Sequence, residues 1–274
     1  MSTEKKPGEK YFFSNLQLDA DRKRLALQEQ AWDPFTIRHL ESLGVASGWT
    51  CLNVGAGHGS ITAWIASRVS PTGKVVATDL RPELHREVSG QVEIRKHDIM
   101  KDEIEKNHYD LVFCRMLLQH LKEPNKALSK MADAVKPGGW LLIEEIDNSI
   151  TPKSDSKNSK ADYYYRTGWQ YYEPFPKIGF DMEYGRNVRF LLDQLGFVGV
   201  QSEGNFLLSR GGDPWPEALV DVLKLSSEAL IKSRLAQEDD TRKLLDEIER
   251  MCHDPSYYYI CSALCSAWGK KPTK

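Results

Sequence analysis

The 274-residue sequence has few cysteines, little net charge and no long apolar run. Its five cysteines are an odd number and form no Cys-X-X-Cys pair, which disfavours a disulfide scaffold and a zinc knuckle. We therefore expect no bound metal. The 37 basic and 39 acidic residues give a net charge of −2, which disfavours nucleic acid as a partner. No stretch approaches the roughly 18 apolar residues of a membrane helix, and residues 1–10 lack the apolar core of a signal peptide. We therefore expect a cytoplasmic protein without a membrane span.

Short apolar segments alternate with helical patterns through the middle of the sequence. Strands are predicted at 50–54, 74–79, 92–96, 109–114, 140–146, 197–202 and 257–268. Strands that alternate with helices indicate an α/β fold with a mostly parallel sheet covered on both faces. Asp33-Pro34 resembles an N-cap followed by a proline at the first helical position, so the region 18–43 is predicted to form two helices. A short helix over 81–88, a turn at 137–139 and two amphipathic helices near 215–233 and 239–252 are also predicted.

A glycine-rich turn follows the first strand, in the sequence Cys51-Leu-Asn-Val-Gly55-Ala-Gly57-His-Gly59-Ser60. Glycines let the backbone turn sharply and let a ligand lie against bare peptide, and the following helix offers its first N–H groups. Asp79 ends the second strand twenty residues after Gly59, where a carboxylate can hold both hydroxyls of a ribose. The G-X-G-X-G spacing departs from the dinucleotide pattern, and no phosphate-loop lysine follows. The unit is predicted to bind an adenosine-type ligand.

Further motifs follow this turn in a fixed order. They are Lys96-His97-Asp98-Ile99, Tyr109-Asp110-Leu-Val-Phe-Cys114-Arg115, Leu117-Leu-Gln119-His120-Leu121 and Lys136-Pro137-Gly138-Gly139. With them the sequence resembles, over about residues 45–147, the class I S-adenosylmethionine-dependent methyltransferases. It is similar to their small-molecule branch, the ubiquinone/menaquinone C-methyltransferase-like and natural-product enzymes. The resemblance implies a Rossmann-like, mostly parallel seven-stranded sheet with helices on both faces and a helical, aromatic substrate cap.

The resemblance also implies the cofactor, S-adenosylmethionine, its product, S-adenosylhomocysteine, and the residues that bind them. The implied set is Asn53, Gly55, Ala56, Gly57, Gly59, Asp79, Leu80, Asp98, Ile99, Cys114 and Arg115. The turn would pack on the methionine part, Asp79 would hold the ribose, and Asp98 would accept from the adenine amino group. Asn53 departs from the acidic residue usual in this family, and an asparagine accepts a hydrogen bond without bringing charge.

Candidate acceptor-side residues come from three regions. His120 and Glu145 are candidate catalytic bases, although His120 has the alternative of packing beneath the cofactor loop. Glu144 is a candidate substrate contact. For Glu144, Glu145 and Asp147, which end the fifth predicted strand, ion pairing with Arg115 or Arg38 is the alternative. Aromatic side chains of the implied cap would exclude water and favour flat or apolar substrates. The candidates among them are Tyr11, Tyr165, Trp169 and Tyr172. A small satellite core is the alternative for the aromatic segment 163–184, and a disordered arm is the alternative for Tyr11.

The predicted organisation has four parts. They are an N-terminal arm with helices that form part of the cap (1–44), the cofactor-binding core (45–150), an aromatic cap (151–182) and the C-terminal part of the fold with inserted helices (183–274). The expected activity is in-line methyl transfer to O, C or N of a small, apolar or aromatic metabolite, by a monomer or homodimer. Two alternatives stay open: a protein that binds the cofactor without methyl transfer, such as a cyclase-type or regulatory protein, and a protein or RNA methyltransferase.

Overall fold

A computed structural model describes residues 17–149, 176, 179–232, 234 and 236–273. The chain divides into two compact units. The first comprises residues 1–31, 148–182 and 206–263, and the second comprises 32–147, 183–205 and 264–274. Among the described residues, no helix is both long enough and apolar enough to cross a membrane.

Helices and strands alternate through the chain. The helices are α1 (Leu18–Ser42), α2 (Ser60–Val69), α3 (Pro124–Ala134), α4 (Tyr184–Gln194), α5 (Pro214–Lys232) and α6 (Glu238–His253). The strands are β1 (Thr50–Val54), β2 (Lys74–Asp79), β3 (Val92–Lys96), β4 (Tyr109–Arg115), β5 (Val135–Asp147), β6 (Val198–Asn205), β7 (Leu208–Arg210), β8 (Tyr258–Ile260) and β9 (Ala263–Lys270). Two short 3-10 helices lie at Pro82–Leu84 and Leu118–His120.

The second unit is built on a seven-stranded sheet of order β3-β2-β1-β4-β5-β9-β6. The pairs β3–β2, β2–β1, β1–β4 and β4–β5 are parallel, and β6 pairs antiparallel with β9. The mostly parallel sheet of the prediction is therefore confirmed. Because parallel strands end at the same edge, the turn after β1 lies beside the ends of β2 and β4, the edge where open α/β sheets bind ligands.

Apolar side chains cover both faces of this sheet. Along β4, Leu111 and Phe113 belong to one buried cluster, and Val112 between them belongs to the other. Successive residues of a strand point to opposite faces, so both faces of β4 pack against apolar layers. This two-sided burial explains why β4 is a nearly continuous apolar run in the sequence.

Three local predictions for residues 18–139 were wrong. The region 18–43 is one helix, α1, with Pro34 inside it. The region 81–88 keeps only one 3-10 turn, Pro82–Leu84, because the residues after it fold back onto the glycine turn. The segment 137–139 lies within β5, whose register against β4 shifts between Tyr109 and Leu111.

The first unit contains α5, α6 and a separate two-stranded antiparallel sheet of β7 and β8. The predicted late strand over 257–268 is therefore two strands, since β8 pairs with β7 and only β9 joins the large sheet. Met182, Val220, Leu223 and Ile248 are among the residues that form the core of this unit. The two amphipathic helices predicted near 215–233 and 239–252 are confirmed as α5 and α6.

Candidate cofactor-binding site

The turn between β1 and α2 needs glycine at three positions. Gly55, Gly57 and Gly59 have φ angles of 69°, 57° and 95°, a left-handed region that side chains disfavour. The N–H groups of Gly55 and Ala56 donate to the carbonyl oxygen of Thr78 at 2.8 and 3.0 Å, which ties the turn to β2. The turn therefore presents bare backbone at the carboxyl edge of the sheet, next to the N-terminus of α2.

Asp79 fixes the shape of this turn. Its Oδ2 accepts the N–H of Gly57 at 2.9 Å, and its Oδ1 accepts the N–H of Arg81 at 2.9 Å. A carboxylate has about four acceptor positions, so two contacts to backbone leave capacity for ligand hydroxyls. The predicted ribose-binding acid thus lies against the predicted glycine turn, and both are in the second unit.

His85, which was not among the predicted site residues, packs against the glycine turn at Gly59. A Cβ atom at Gly59 would lie 2.4 Å from the ring of His85, so only glycine leaves room for that ring. The segment that carries His85 is tied to the same turn, because the N–H of Arg86 donates to the carbonyl of His58 at 2.9 Å. His58 Nδ1 lies 2.9 Å from the carbonyl oxygen of Leu84. His58 is thus held by the residues that follow β2.

The predicted adenine-side residues follow β2 and β3. Leu80 comes directly after Asp79 and is 41% exposed, an apolar side chain that a flat ring would cover, whereas Ile99 is buried. Asp98 Oδ1 accepts the N–H of Met100 at 3.0 Å, and its Oδ2 pairs with Lys101 at 2.8 Å. Burial opposes ionisation of Asp98, but the bonds from Lys101 and Met100 outweigh it and lower the pKa of the carboxyl.

Asn53 is buried in β1 beneath the turn. Its Nδ2 donates to Thr62 Oγ1 of α2 at 3.0 Å. This bond directs the amide nitrogen of Asn53 toward α2. The Oδ1 atom is the hydrogen-bond acceptor of the same side chain. The uncharged residue at this position is thus oriented by α2.

Arg115, at the end of β4, contacts helix α1. Its Nη2 donates to Asp33 Oδ1 at 2.8 Å and its Nη1 donates to Thr36 Oγ1 at 2.8 Å. The Thr36 hydroxyl in turn donates to Glu144 Oε2 at 2.5 Å. Cys114, the residue before Arg115, is completely buried, and burial raises the pKa of its thiol well above the usual value.

Glu144 and Glu145 are adjacent in β5, so their side chains point to opposite faces of the sheet. Besides Thr36, Glu144 Oε1 lies 2.8 Å from His39 Nδ1 and accepts the hydroxyl of Ser266 at 3.0 Å. Glu145 accepts the backbone N–H groups of Leu117, Leu118 and Gln119 at 3.0, 2.7 and 3.3 Å. Both carboxyl groups are fully buried.

Arg38 and Arg115 were the alternative partners for Glu144, Glu145 and Asp147, but they pair with Glu203 and Asp33 instead. Arg38 donates to Glu203 at 2.9 and 2.5 Å. Asp147 pairs with Arg186 at 2.7 Å. Glu144 therefore meets neutral donors and an imidazole rather than a guanidinium, and this arrangement depends on α1 and β9, which no local pattern connects to β5.

His120 ends the 3-10 helix after β4 and is half-buried. It follows the three residues whose N–H groups Glu145 accepts, so it lies on the same segment of the carboxyl edge. The four aromatic candidates, Tyr11, Tyr165, Trp169 and Tyr172, lie outside the described residues.

The site also contains residues that were not predicted as functional, namely His85, Leu117, Thr36 and His39. No sequence signal indicated His85, because its contact with Gly59 depends on the path of the chain after β2. Leu117 has the usual pattern of a core residue, and its contact with Gly55 depends on the path of the loop after β4.

A family model described as a methyltransferase domain matches residues 13–202. The chain belongs to this family. The three left-handed glycines together with Asp79 are a set of residues that fits the cofactor expected from the sequence, S-adenosylmethionine. The seven-stranded sheet of this chain, with helices alternating along it, is a Rossmann-like fold.

Curated relatives match less than half of the chain. A ubiquinone/menaquinone biosynthesis C-methyltransferase (UbiE) of Ectopseudomonas mendocina is 33% identical over 130 residues, which cover 44% of this chain and 50% of that protein. The protein of the same name from Pseudomonas aeruginosa strain LESB58 is 32% identical over 142 residues, which cover 48% and 53%. The chain thus spans about half the length of the curated relatives it matches.

Solved structures share the fold. Phosphoethanolamine N-methyltransferase 2 of Haemonchus contortus, solved with phosphomonomethylethanolamine and S-adenosylhomocysteine, superposes with a TM-score of 0.55 at 16% identity, covering 95% of this chain and 60% of that one. A methyltransferase assigned to an antibiotic biosynthesis pathway of Anabaena variabilis gives 0.55 at 13% identity, covering 86% and 96%. At these identities the likeness extends to the fold alone.

Proposed function

We propose that this protein is an S-adenosylmethionine-dependent methyltransferase, which transfers the methyl group to O, C or N of a small, apolar or aromatic metabolite. The proposal rests on the hydrogen bond from the N–H of Gly57 to Asp79, which shapes a turn that fits the nucleoside-bearing cofactor. The similarity of this chain to the C-methyltransferases of ubiquinone and menaquinone biosynthesis supports a small acceptor, and carbon is the first acceptor atom to test. The net charge of −2 provides no excess of cations for binding nucleic acid.

Within the site, we assign the turn, the ends of β2 and β3, and Cys114 near the end of β4 to the cofactor. Asp79 would accept the ribose hydroxyls, and Leu80 and Ile99 would flank the adenine, with Asp98 as acceptor for its amino group. Asn53 would accept from the cofactor's amino group through Oδ1, since Thr62 holds its Nδ2. Arg115 is assigned to holding α1, because both of its described contacts are with that helix.

When bound, the cofactor supplies a sulfonium-activated methyl group. The chain's own contribution is to hold the acceptor in line and exclude water, and in model reactions orientation alone is worth about 7–11 kcal/mol. A base is required only for an acceptor that keeps its proton until attack, such as a phenol or an enol. We assign that role to His120, because histidine is the side chain that most often serves as a general base and this one lies at the carboxyl edge of the sheet.

The proposal is tested with purified protein and cofactor labelled in the methyl group. Quinol, phenol, enol and amine acceptors are incubated separately, and the products are identified by mass. Transfer to at least one small acceptor, with formation of S-adenosylhomocysteine, is the expected result. Label that enters only the macromolecular fraction of a cell extract would show a protein or RNA substrate instead. Cofactor binding without transfer to any acceptor or extract fraction would favour a cyclase-type or regulatory role.

His120→Gln is the matched variant for the base. With a phenolic acceptor, we expect a loss of about 100-fold or more in kcat, the usual scale of general-base catalysis, and unchanged cofactor affinity. Unchanged kcat with such an acceptor would remove His120 from this role.

We further propose that the protein acts in the cytoplasm, as a monomer or a homodimer. All five cysteines are free thiols, and four of them are buried. Free thiols are typical of reducing compartments. Fractionation of cells with an antibody to the chain, and light scattering of the purified protein, test these two statements.

A further inference from the structure

The segment after β4 is held by one buried side chain, that of Glu145. Oε1 accepts the N–H groups of Leu117 at 3.0 Å and Leu118 at 2.7 Å, and Oε2 accepts that of Gln119 at 3.3 Å. The Cys114 thiol lies 3.9 Å from Oε1. Three consecutive backbone donors therefore converge on one carboxyl group at the end of β5.

Other bonds tie the same segment to β5. The side-chain oxygen of Gln119 accepts the N–H of Ile146 at 3.1 Å, and the N–H of Met116 donates to the carbonyl of Glu144 at 2.8 Å. Met116 has a φ of 52°, a left-handed conformation that costs a non-glycine residue about 1–2 kcal/mol. A strained residue persists when its surroundings hold it, and here the bonds to residues 144–146 do so.

Leu117 connects the segment held by Glu145 to the glycine turn. A Cβ atom at Gly55 would lie 3.1 Å from Leu117 Cδ1 and 3.2 Å from its Cδ2, so the leucine side chain lies directly against that glycine. The backbone N–H of the same leucine is one of the three bound by Glu145. Glu145 thus acts on the cofactor-binding turn through a single intervening residue.

A catalytic base must reach the proton that it removes. Glu145 has no exposed surface, and its oxygens already accept three N–H groups. Its neighbours Glu144 and Cys114 are equally buried, so no chain of exposed groups leads to it through these residues. Access of a substrate would require the segment 117–119 to detach.

We propose that Glu145 is a positioning residue: it holds Leu117 against Gly55 and so sets the wall of the cofactor-binding turn. This inference rests on the proposed function, which places the cofactor at that turn. It replaces the assignment of Glu145 as a base and adds Leu117 to the residues that determine cofactor affinity.

Two substitutions at position 145 separate positioning from proton transfer. Glu145→Gln keeps one oxygen, which can still accept from Leu117 and Leu118, but it cannot act as a base. Glu145→Met has a similar size and accepts neither N–H. We expect Met to raise the Kd for S-adenosylhomocysteine about tenfold, equivalent to 1.4 kcal/mol, and Gln to restore it to within about threefold of the unsubstituted protein. At saturating cofactor, we expect kcat to be lowest for Glu145→Met, with Glu145→Gln close to the unsubstituted protein.

A base would behave differently. Gln and Met would then both abolish turnover, with cofactor Kd unchanged, and that result would overturn the proposal. Equal Kd and equal kcat in all three proteins would overturn it as well. If the unsubstituted protein fails to bind S-adenosylhomocysteine, the placement of the cofactor fails instead, so the two failures are distinguishable.

Leu117→Ala provides a second test in case Glu145→Met does not fold. It leaves every bond to Glu145 in place and removes only the side chain that lies on Gly55. We expect a similar rise in cofactor Kd, and an unchanged Kd would contradict the proposal. Glu105→Gln is the matched control, because it removes a carboxylate bound by Tyr109 and Arg95 away from the turn, and its cofactor Kd should not change.

Discussion

Asp79 accepts the N–H of Gly57 at 2.9 Å, so the acid assigned to the ribose also shapes the turn beneath the cofactor. The second oxygen of Asp79 accepts the N–H of Arg81 and holds the chain as it leaves β2. One carboxylate thus organises two backbone segments at the proposed cofactor site. Its removal should affect binding more strongly than the loss of one ligand contact alone.

We expect Asp79→Ala to weaken S-adenosylhomocysteine binding by about 1.5–3 kcal/mol, the range for a hydrogen bond to a charged group, or more if the turn also loosens. Calorimetric titration measures this directly. Asp110→Asn is the control, since that carboxylate accepts the N–H of Thr50 at the opposite edge of the sheet. Equal affinities for the Ala variant and the unsubstituted protein would refute the ribose assignment.

The contact between Gly59 and His85 gives a second prediction. Gly59→Ala introduces both backbone strain and a clash with the ring, and we expect a larger loss of stability than for Gly44→Ala. Gly44 has a φ of 75° and no atom within 4 Å of an added Cβ, so it reports the strain alone. Removing the ring in Gly59→Ala/His85→Ala should recover the difference. Thermal denaturation of the four proteins tests this, and no recovery in the double variant would contradict the contact.

The Thr36 hydroxyl bridges Arg115 and Glu144, which predicts unequal effects of two small substitutions. Thr36→Val removes a donor from a buried carboxyl group and an acceptor from a guanidinium, at about 1–3 kcal/mol for each unsatisfied group. Thr36→Ser keeps the hydroxyl and should cost clearly less. Urea denaturation distinguishes them, and equal losses would show that the methyl group contributes as much as the hydroxyl, which would contradict this prediction.

Stability should depend on pH through Glu145. Burial raises the pKa of Glu145 to about 7, although the N–H groups of Leu118, Leu117 and Gln119 oppose the shift and Glu144 adds to it. Between its ordinary pKa of 4.5 and 7, the folded protein holds a proton that the unfolded chain releases. The contribution of this group to stability is therefore present below about pH 4.5 and is lost as the pH rises through 7.

The measurement is the free energy of unfolding at a series of pH values for the unsubstituted protein and Glu145→Gln. The unsubstituted protein should lose on the order of 3 kcal/mol relative to the variant between pH 4.5 and 8. Cys114 remains a protonated thiol across this range because burial raises its pKa well above the usual value. Parallel curves for the two proteins would show that Glu145 ionises normally.

The sequence patterns predicted the sheet and the glycine turn because both depend on local features. An apolar strand, three glycines and an acid at the end of the next strand lie within 30 residues of one another. The same features could not predict the partners of Glu144 and Glu145, which come from α1, β9 and the loop after β4. Adjacent residues of a strand face opposite sides, so their environments are determined by the tertiary fold.

Helix α1 shows how tertiary contacts override a local signal. Pro34 lacks the N–H that would continue the helical hydrogen bonds, and the pattern Asp33-Pro34 is typical of a helix start. The helix nevertheless continues, with Asp33 bound to Arg115 and His39 bound to Glu144. Contacts on both sides of the proline thus stabilise a continuous helix that the sequence alone does not predict.

Calorimetric titration of the purified chain with S-adenosylhomocysteine is the most direct measurement of cofactor placement. Asp79, the glycine turn and Leu117 predict saturable binding of one ligand per chain, weakened by Asp79→Ala and by Leu117→Ala but not by Asp110→Asn. Absence of heat up to millimolar ligand, or equal binding by all four proteins, would contradict the assignment of this turn to the cofactor.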